Sequence, residues 1–152
     1  MVSHPQAGAD AVIRLARPDT GEAELAEIAA VLETGQLTMG PKVEEFEGLL
    51  AAAAGTVHTV AVSSGTAALH VAVLALGIGE GDEVLVPAYT FPATANVVAL
   101  AGARPVLVDV DPATMNIDPA DAARRVTAQT KAVLAVTCSA GPRGSSSCRS
   151  CR

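Results

Sequence analysis

The residues Ser63-Ser64-Gly65-Thr66-Ala67 lie between a β-branched run, Thr59-Val60-Ala61-Val62, and an Ala/Leu/Val stretch that starts near Ala67. Where a strand turns into a helix, amides without helical acceptors, the positive end of the helix dipole and hydroxyl groups surround one concavity, which suits a phosphate. The same residues also suit simple helix capping, so the local pattern leaves two readings open. Phe91, between Pro87 and Pro92 in a chain with two Phe, one Tyr and no Trp, is either a platform for a flat cofactor ring or a core residue under a helix. Asp109 and Asp111 could form a carboxylate pair for acid–base work, but Asp111-Pro112 is a turn signal, and the turn is favoured. Asn116 then reads as a loop feature and Asp118-Pro119 as the cap of the next helix. His58 and His70 have no Cys or acidic partners at ligand spacing, so no metal site is expected, and Cys148-Arg149-Ser150-Cys151 lacks a second ligand pair.

These residues need elements to hold them. Leu25, Ile28, Ala29 and Leu32 recur at helical spacing within Glu22 to Glu33, and Gly35 is a stop signal. Pro41 suits the first turn of a second helix running to Gly55. From residue 58 short β-branched runs alternate with Ala-rich runs: strands are predicted at 58–62, 83–86, 105–109 and 131–136, and helices at 67–76, 92–101 and 119–127. Crossovers of this length imply parallel strands, hence an α/β fold, with ligands gathering outside the carboxyl ends of the strands. Three segments then converge there: Ser63 to Thr66, Pro87 to Phe91, and Asp109 to Asp111.

Composition narrows the partners. The chain has 152 residues, half of them apolar and 17% charged, which is enough for one domain with a core built from Ala, Val and Leu. Its net charge of −6, with no Lys/Arg cluster before the last ten residues, argues against nucleic acid. No signal-peptide pattern and no apolar run of roughly 18 residues is seen, so no membrane partner is expected and the chain reads as cytoplasmic. All sixteen acidic residues lie in 1–137, while 138–152 hold all three Cys, three Arg and no acid, so the first 137 residues carry −9.

From about Leu15 to Val136 the chain resembles the N-terminal part of the DegT/DnrJ/EryC1/StrS family of pyridoxal-phosphate-dependent sugar aminotransferases. The resemblance is carried in order by Gly35-Gln36-Leu37-Thr38-Met39-Gly40, Val43-Glu44-Glu45-Phe46-Glu47, Ser63 to Leu69, Ala75 to Gly79, Gly81-Asp82-Glu83-Val84, Pro87 to Phe91, Gly102 to Val106 with Val108-Asp109, and Thr130-Lys131-Ala132. Each piece is weak alone, and the ordered series is strong. The resemblance implies part of the large domain of an aspartate-aminotransferase-like (PLP fold type I) fold, truncated here, with a mostly parallel sheet and flanking helices. It also implies a homodimer with its active site at the subunit interface. Ser64, Gly65, Thr66 and Ala67 would hold the phosphate of pyridoxal 5'-phosphate, Phe91 would stack on its ring, and Thr38 would contact the substrate. The implied reaction moves an amino group from glutamate or glutamine onto the keto group of a nucleotide-linked sugar.

That chemistry needs a Schiff-base lysine and an acid facing the pyridine nitrogen. The only lysines are Lys42 and Lys131, and neither matches the family's position, so both groups are expected further along than this sequence extends. The chain is expected to be inactive alone and to bind the cofactor poorly. Alternatives are a fragment of a same-family sugar dehydratase, which carries His at the lysine position, and a non-catalytic remnant of a broken gene.

Residues 1–14 read as a polar leader, 15–136 as the family region, and 137–152 as a disordered Cys/Ser/Arg tail. In the family the strand ending at Val136 is followed by His, an apolar pair and Gly. Deleting one C from GTC-CAC-CTG-TTC-GGC-CGG-CCC-GCG, which encodes Val-His-Leu-Phe-Gly-Arg-Pro-Ala, gives Val-Thr-Cys-Ser-Ala-Gly-Pro-Arg, as found from Val136 to Arg143. The tail is therefore expected to be a frameshift product or a sequencing error.

Overall fold

The computed structural model describes residues 18–137, so the leader and all but the first residue of the tail lie outside the described residues. The chain divides into two compact units, Met1–Ala61 and Val62–Arg152.

In the first unit, Glu22–Thr34 forms α1 and Pro41–Ala54 forms α2. The Glu24 carboxylate accepts the Gly21 N–H at 2.6 Å, giving an otherwise orphaned donor a partner at the start of α1. Gly35 and Gly55 end the two helices at φ 68° and 67°, a left-handed turn that L side chains resist, and Pro41 opens α2. These are the boundaries that Gly35, Pro41 and Gly55 signal in the sequence. No residue of either helix is buried, and Leu25, Ile28, Leu32, Phe46 and Leu49 are all exposed.

The segment 58–62, expected as a strand, is not one. A strand needs a ladder, and here the backbone is engaged otherwise: the Thr59 hydroxyl donates to Glu47 O at 2.6 Å, and the Ala61 N–H donates to the Glu47 carboxylate at 2.7 Å.

The second unit is an α/β arrangement of α3 (Gly65–Ala75), β1 (Glu83–Pro87), α4 (Ala93–Leu100), β2 (Arg104–Val108), α5 (Pro119–Arg125) and β3 (Thr130–Val133). The strands are parallel in the order β2-β1-β3, with Glu83 opposite Arg104 on one side and Thr130 on the other. β1 is paired on both sides and buried throughout, which explains why Val84-Leu85-Val86 reads as a continuous apolar run rather than an alternating one. Val84 and Val86 join Val73, Ile78, Val97, Val98 and Ala103 in the core. α3 and α4 pack together, and the turns at their ends meet: a Cβ at Gly102, whose φ is +85°, would sit in van der Waals contact, 3.6 Å from Glu80 N.

Two buried carboxylates bind the strand ends. At the amino end of the sheet, Glu83 pairs with Arg104 and accepts the Thr127 hydroxyl at 2.8 Å, and both interactions hold its pKa below the usual carboxylate value. At the carboxyl end, Asp121 accepts the Asp109 N–H at 2.8 Å, Arg125 Nε at 2.6 Å and Arg124 Nη2 at 3.0 Å. The Asp109 amide first, and then the arginines, lower its pKa from 3.8 to about 2.

Candidate functional site

α3 reaches β1 through a short connection, so its C-terminus lies by the amino end of that parallel strand and its N-terminus points back toward the carboxyl end. α4 runs the same way, and contact between the turns after α3 and α4, around Gly79 and Gly102, confirms that the two helices end side by side. The N-terminus of α3 and the loop carrying Phe91 therefore share the carboxyl end of the sheet, together with the Asp109–Asp111 segment.

The helix begins at Gly65, two residues before the expected start. Ser64 is its N-cap: extended backbone at φ −165° lets Oγ accept the Ala67 N–H at 3.1 Å, while its carbonyl accepts the Ala68 N–H at 3.0 Å. The capping reading of the sequence is thus realised, and it does not exclude the phosphate reading. A first turn has more donors than one cap can satisfy, and the Gly65 and Thr66 N–H groups lie at the exposed tip with the Thr66 hydroxyl. α3, like α4, carries no acidic residue in its first turn, so its dipole is not compensated from within the helix.

Gly65 is informative in another way. Its φ is not positive, and a Cβ built there would meet nothing within 4 Å, so neither backbone strain nor packing requires glycine. A glycine here adds no side chain at the exposed start of the helix, where first-turn amides suit an approaching phosphate. The residues present fit a phosphate-bearing cofactor.

Phe91 follows β1 in a segment held by the Ala88 N–H on Val108 O at 2.7 Å. Its ring is 75% exposed, which sets aside the expectation of a core residue under a helix and leaves a flat apolar face free to stack. Tyr89, two residues earlier, is 57% exposed.

Asp111 behaves as the turn former expected: Oδ1 accepts the Ala113 and Thr114 N–H groups at 2.8 and 3.0 Å. Asp118 caps α5 through the Ala120 N–H at 2.8 Å. His70 lies inside α3, and among the described residues no group of three potential metal ligands is found. Thr38 lies in the first unit, in the bend between α1 and α2, beside Met39 at φ 51°. Lys42 is bound to Glu27 at 2.7 Å and Glu45 at 2.8 Å, which hold its pKa above the ordinary lysine value. Lys131 is exposed on β3, next to Thr130, which pairs with Glu83 at the amino end of the sheet, away from the site.

Asp121 and Glu83 escaped the sequence reading as organising residues. Besides the nearby Arg124 and Arg125, their partners include a backbone amide twelve residues from Asp121 and a threonine hydroxyl forty-four residues from Glu83, which no spacing rule marks.

Comparison with known proteins is consistent with this geometry. The profile of the DegT/DnrJ/EryC1/StrS aminotransferase family matches residues 18–141. Among solved structures, Spr1654 of Streptococcus pneumoniae, assigned as a sugar aminotransferase and solved in a PMP form, is 38% identical with a TM-score of 0.78, covering 81% of this chain and 31% of that one. DesV of S. venezuelae is 42% identical with a TM-score of 0.72, covering 74% of this chain and 31% of that one. A 3-amino-5-hydroxybenzoic acid synthase is 41% identical with a TM-score of 0.77, covering 81% and 33%. The chain thus spans about a third of the length of the solved structures it matches. The match across nearly all described residues, with the same fold in relatives about 40% identical, establishes that this chain belongs to the DegT/DnrJ/EryC1/StrS aminotransferase family.

Proposed function

We propose that the second unit is the cofactor-phosphate and ring platform of a pyridoxal-phosphate-dependent aminotransferase that passes an amino group from glutamate or glutamine to a keto sugar linked to a nucleotide. The family is pyridoxal-phosphate-dependent, and its solved relatives include PMP and PLP forms. The observation that carries the reading is the exposed Ser64-Gly65-Thr66 start of α3, a helix with no acidic residue in its first turn. Gly65 and Thr66 donate their amides to the phosphate, the Thr66 hydroxyl adds a further donor, and Ser64 keeps the first turn in shape through Ala67. Phe91 presents its exposed face to the ring, and Thr38 contributes a substrate contact.

When bound, the cofactor supplies an electron sink, and its chemistry needs a lysine that can be deprotonated. Lys42, paired with Glu27 and Glu45, and Lys131, near the amino end of the sheet, are both read as lying off the family's lysine position. We therefore read these 152 residues as unable to transaminate by themselves. The complete enzyme is read as a cytoplasmic homodimer.

Gly65→Ala separates binding from stability. Alanine is the better helix former by roughly 0.5–1 kcal/mol, so the fold is expected to be as stable or slightly more so, while affinity for pyridoxine 5'-phosphate drops. Urea unfolding and a binding titration check the two arms. Undiminished affinity in this variant would remove the phosphate role of Gly65.

A further inference from the structure

We propose that Thr94, in the first turn of α4, is a positioning residue that sets the Phe91 platform before any ligand arrives; the proposal rests on the reading of Phe91 as a stacking ring. The Phe91 ring is 75% exposed, so little packing of its own fixes it, and its direction depends on the backbone of residues 90–92. That backbone is held by the first turn of α4, where the Asn96 N–H donates to Pro92 O at 3.0 Å and Thr94 makes two further bonds. Thr94 is only 4% exposed, its N–H donates to Phe91 O at 3.0 Å, and its hydroxyl lies 3.0 Å from the Thr90 hydroxyl. Thr94 therefore grips both the Phe91 carbonyl and the side chain of the preceding residue. Pro92, at φ −54°, stiffens the joint between them, and the Ala88 N–H on Val108 O anchors the other end of the loop.

A valine at position 94 would fill the same buried space without the cost of a hydroxyl, which is favourable only when it has a hydrogen-bond partner. Thr90 is that partner, so the hydroxyl couples the core to the loop. A platform ordered in advance loses less conformational freedom when a ring stacks on it, and that difference appears as affinity.

The chain carries its own reporter, because Tyr89 is its only tyrosine and it has no tryptophan, so intrinsic emission comes from this loop. The 152-residue chain, Thr94→Val and Thr94→Ser are compared in two measurements: acrylamide quenching of Tyr89 without ligand, and titration with pyridoxine 5'-phosphate or with inorganic phosphate. Pyridoxine 5'-phosphate keeps ring and phosphate but has no aldehyde, so no lysine is required. Thr94→Val is expected to increase quenching and to weaken pyridoxine 5'-phosphate about fivefold, leaving inorganic phosphate unchanged, and Thr94→Ser is expected to restore both. Thr90→Ala, which breaks the same pair from the loop side without touching the buried position, is expected to repeat the Thr94→Val result even where Thr94→Val unfolds. Wild-type affinity in Thr90→Ala, or no recovery in Thr94→Ser, would overturn the positioning role. If the unaltered chain binds pyridoxine 5'-phosphate no better than inorganic phosphate, the stacking role of Phe91 fails first and this proposal falls with it.

Discussion

Ser64 and Gly65 divide the start of α3 between them: the serine holds the turn and the glycine adds no side chain to it. Replacing Ser64 with alanine removes the side-chain acceptor and is expected to cost about 1 kcal/mol in urea unfolding, with the opposite sign from Gly65→Ala. Asp121 answers to pH. An ordinary aspartate titrates at 3.8 and this one at about 2, so its stabilising effect is complete above about pH 4 and is lost as pH falls through about 2. Asp121→Asn is expected to lower stability at neutral pH and to flatten the acid limb between those values, as followed by circular dichroism; an unchanged acid limb would exclude this assignment. The turn roles of Asp111 and Asp118 were legible because each acts on amides two or three residues away. Asp121 was not, because its amide partner is reached only after β2 and α5 have packed.

Helix ends were legible wherever a backbone constraint marks them, as Gly35, Pro41, Gly55 and Asp118-Pro119 do. Strands β1, β2 and β3 were legible from apolar runs of strand length. The segment 58–62 carries the same composition, yet composition does not supply a ladder partner, and Glu47 takes its place. The order β2-β1-β3 is likewise a matter of long-range pairing, which no local pattern records. Two substitutions test this layer. Leu85→Ala, in the centre of the fully buried strand, is expected to cost about 2–5 kcal/mol in denaturant unfolding. Gly102→Ala places a Cβ at φ +85° beside Glu80 N and is expected to cost about 1 kcal/mol or more, where a glycine needed only for flexibility would cost less.

For the molecule as a whole, the family and its parallel α/β fold were legible from the ordered series of segments, because many weak matches in sequence order add up. The burial of the site was not, since exposure of Phe91 depends on what surrounds the loop. The proposed frameshift from residue 137 onward is settled by reading the DNA: codons that do not restore Val-His-Leu-Phe-Gly on insertion of one base rule it out. Among the described residues β2 forms one outer edge of the sheet. It begins Arg104-Pro105, a charge and a residue without an amide donor. Charged side chains and proline on outer strands discourage pairing with another sheet. Pro105→Val is therefore expected to hasten fibrillar aggregation of the 152-residue chain, measured by thioflavin binding, because a ring that cannot donate a hydrogen bond keeps this edge from recruiting copies of itself.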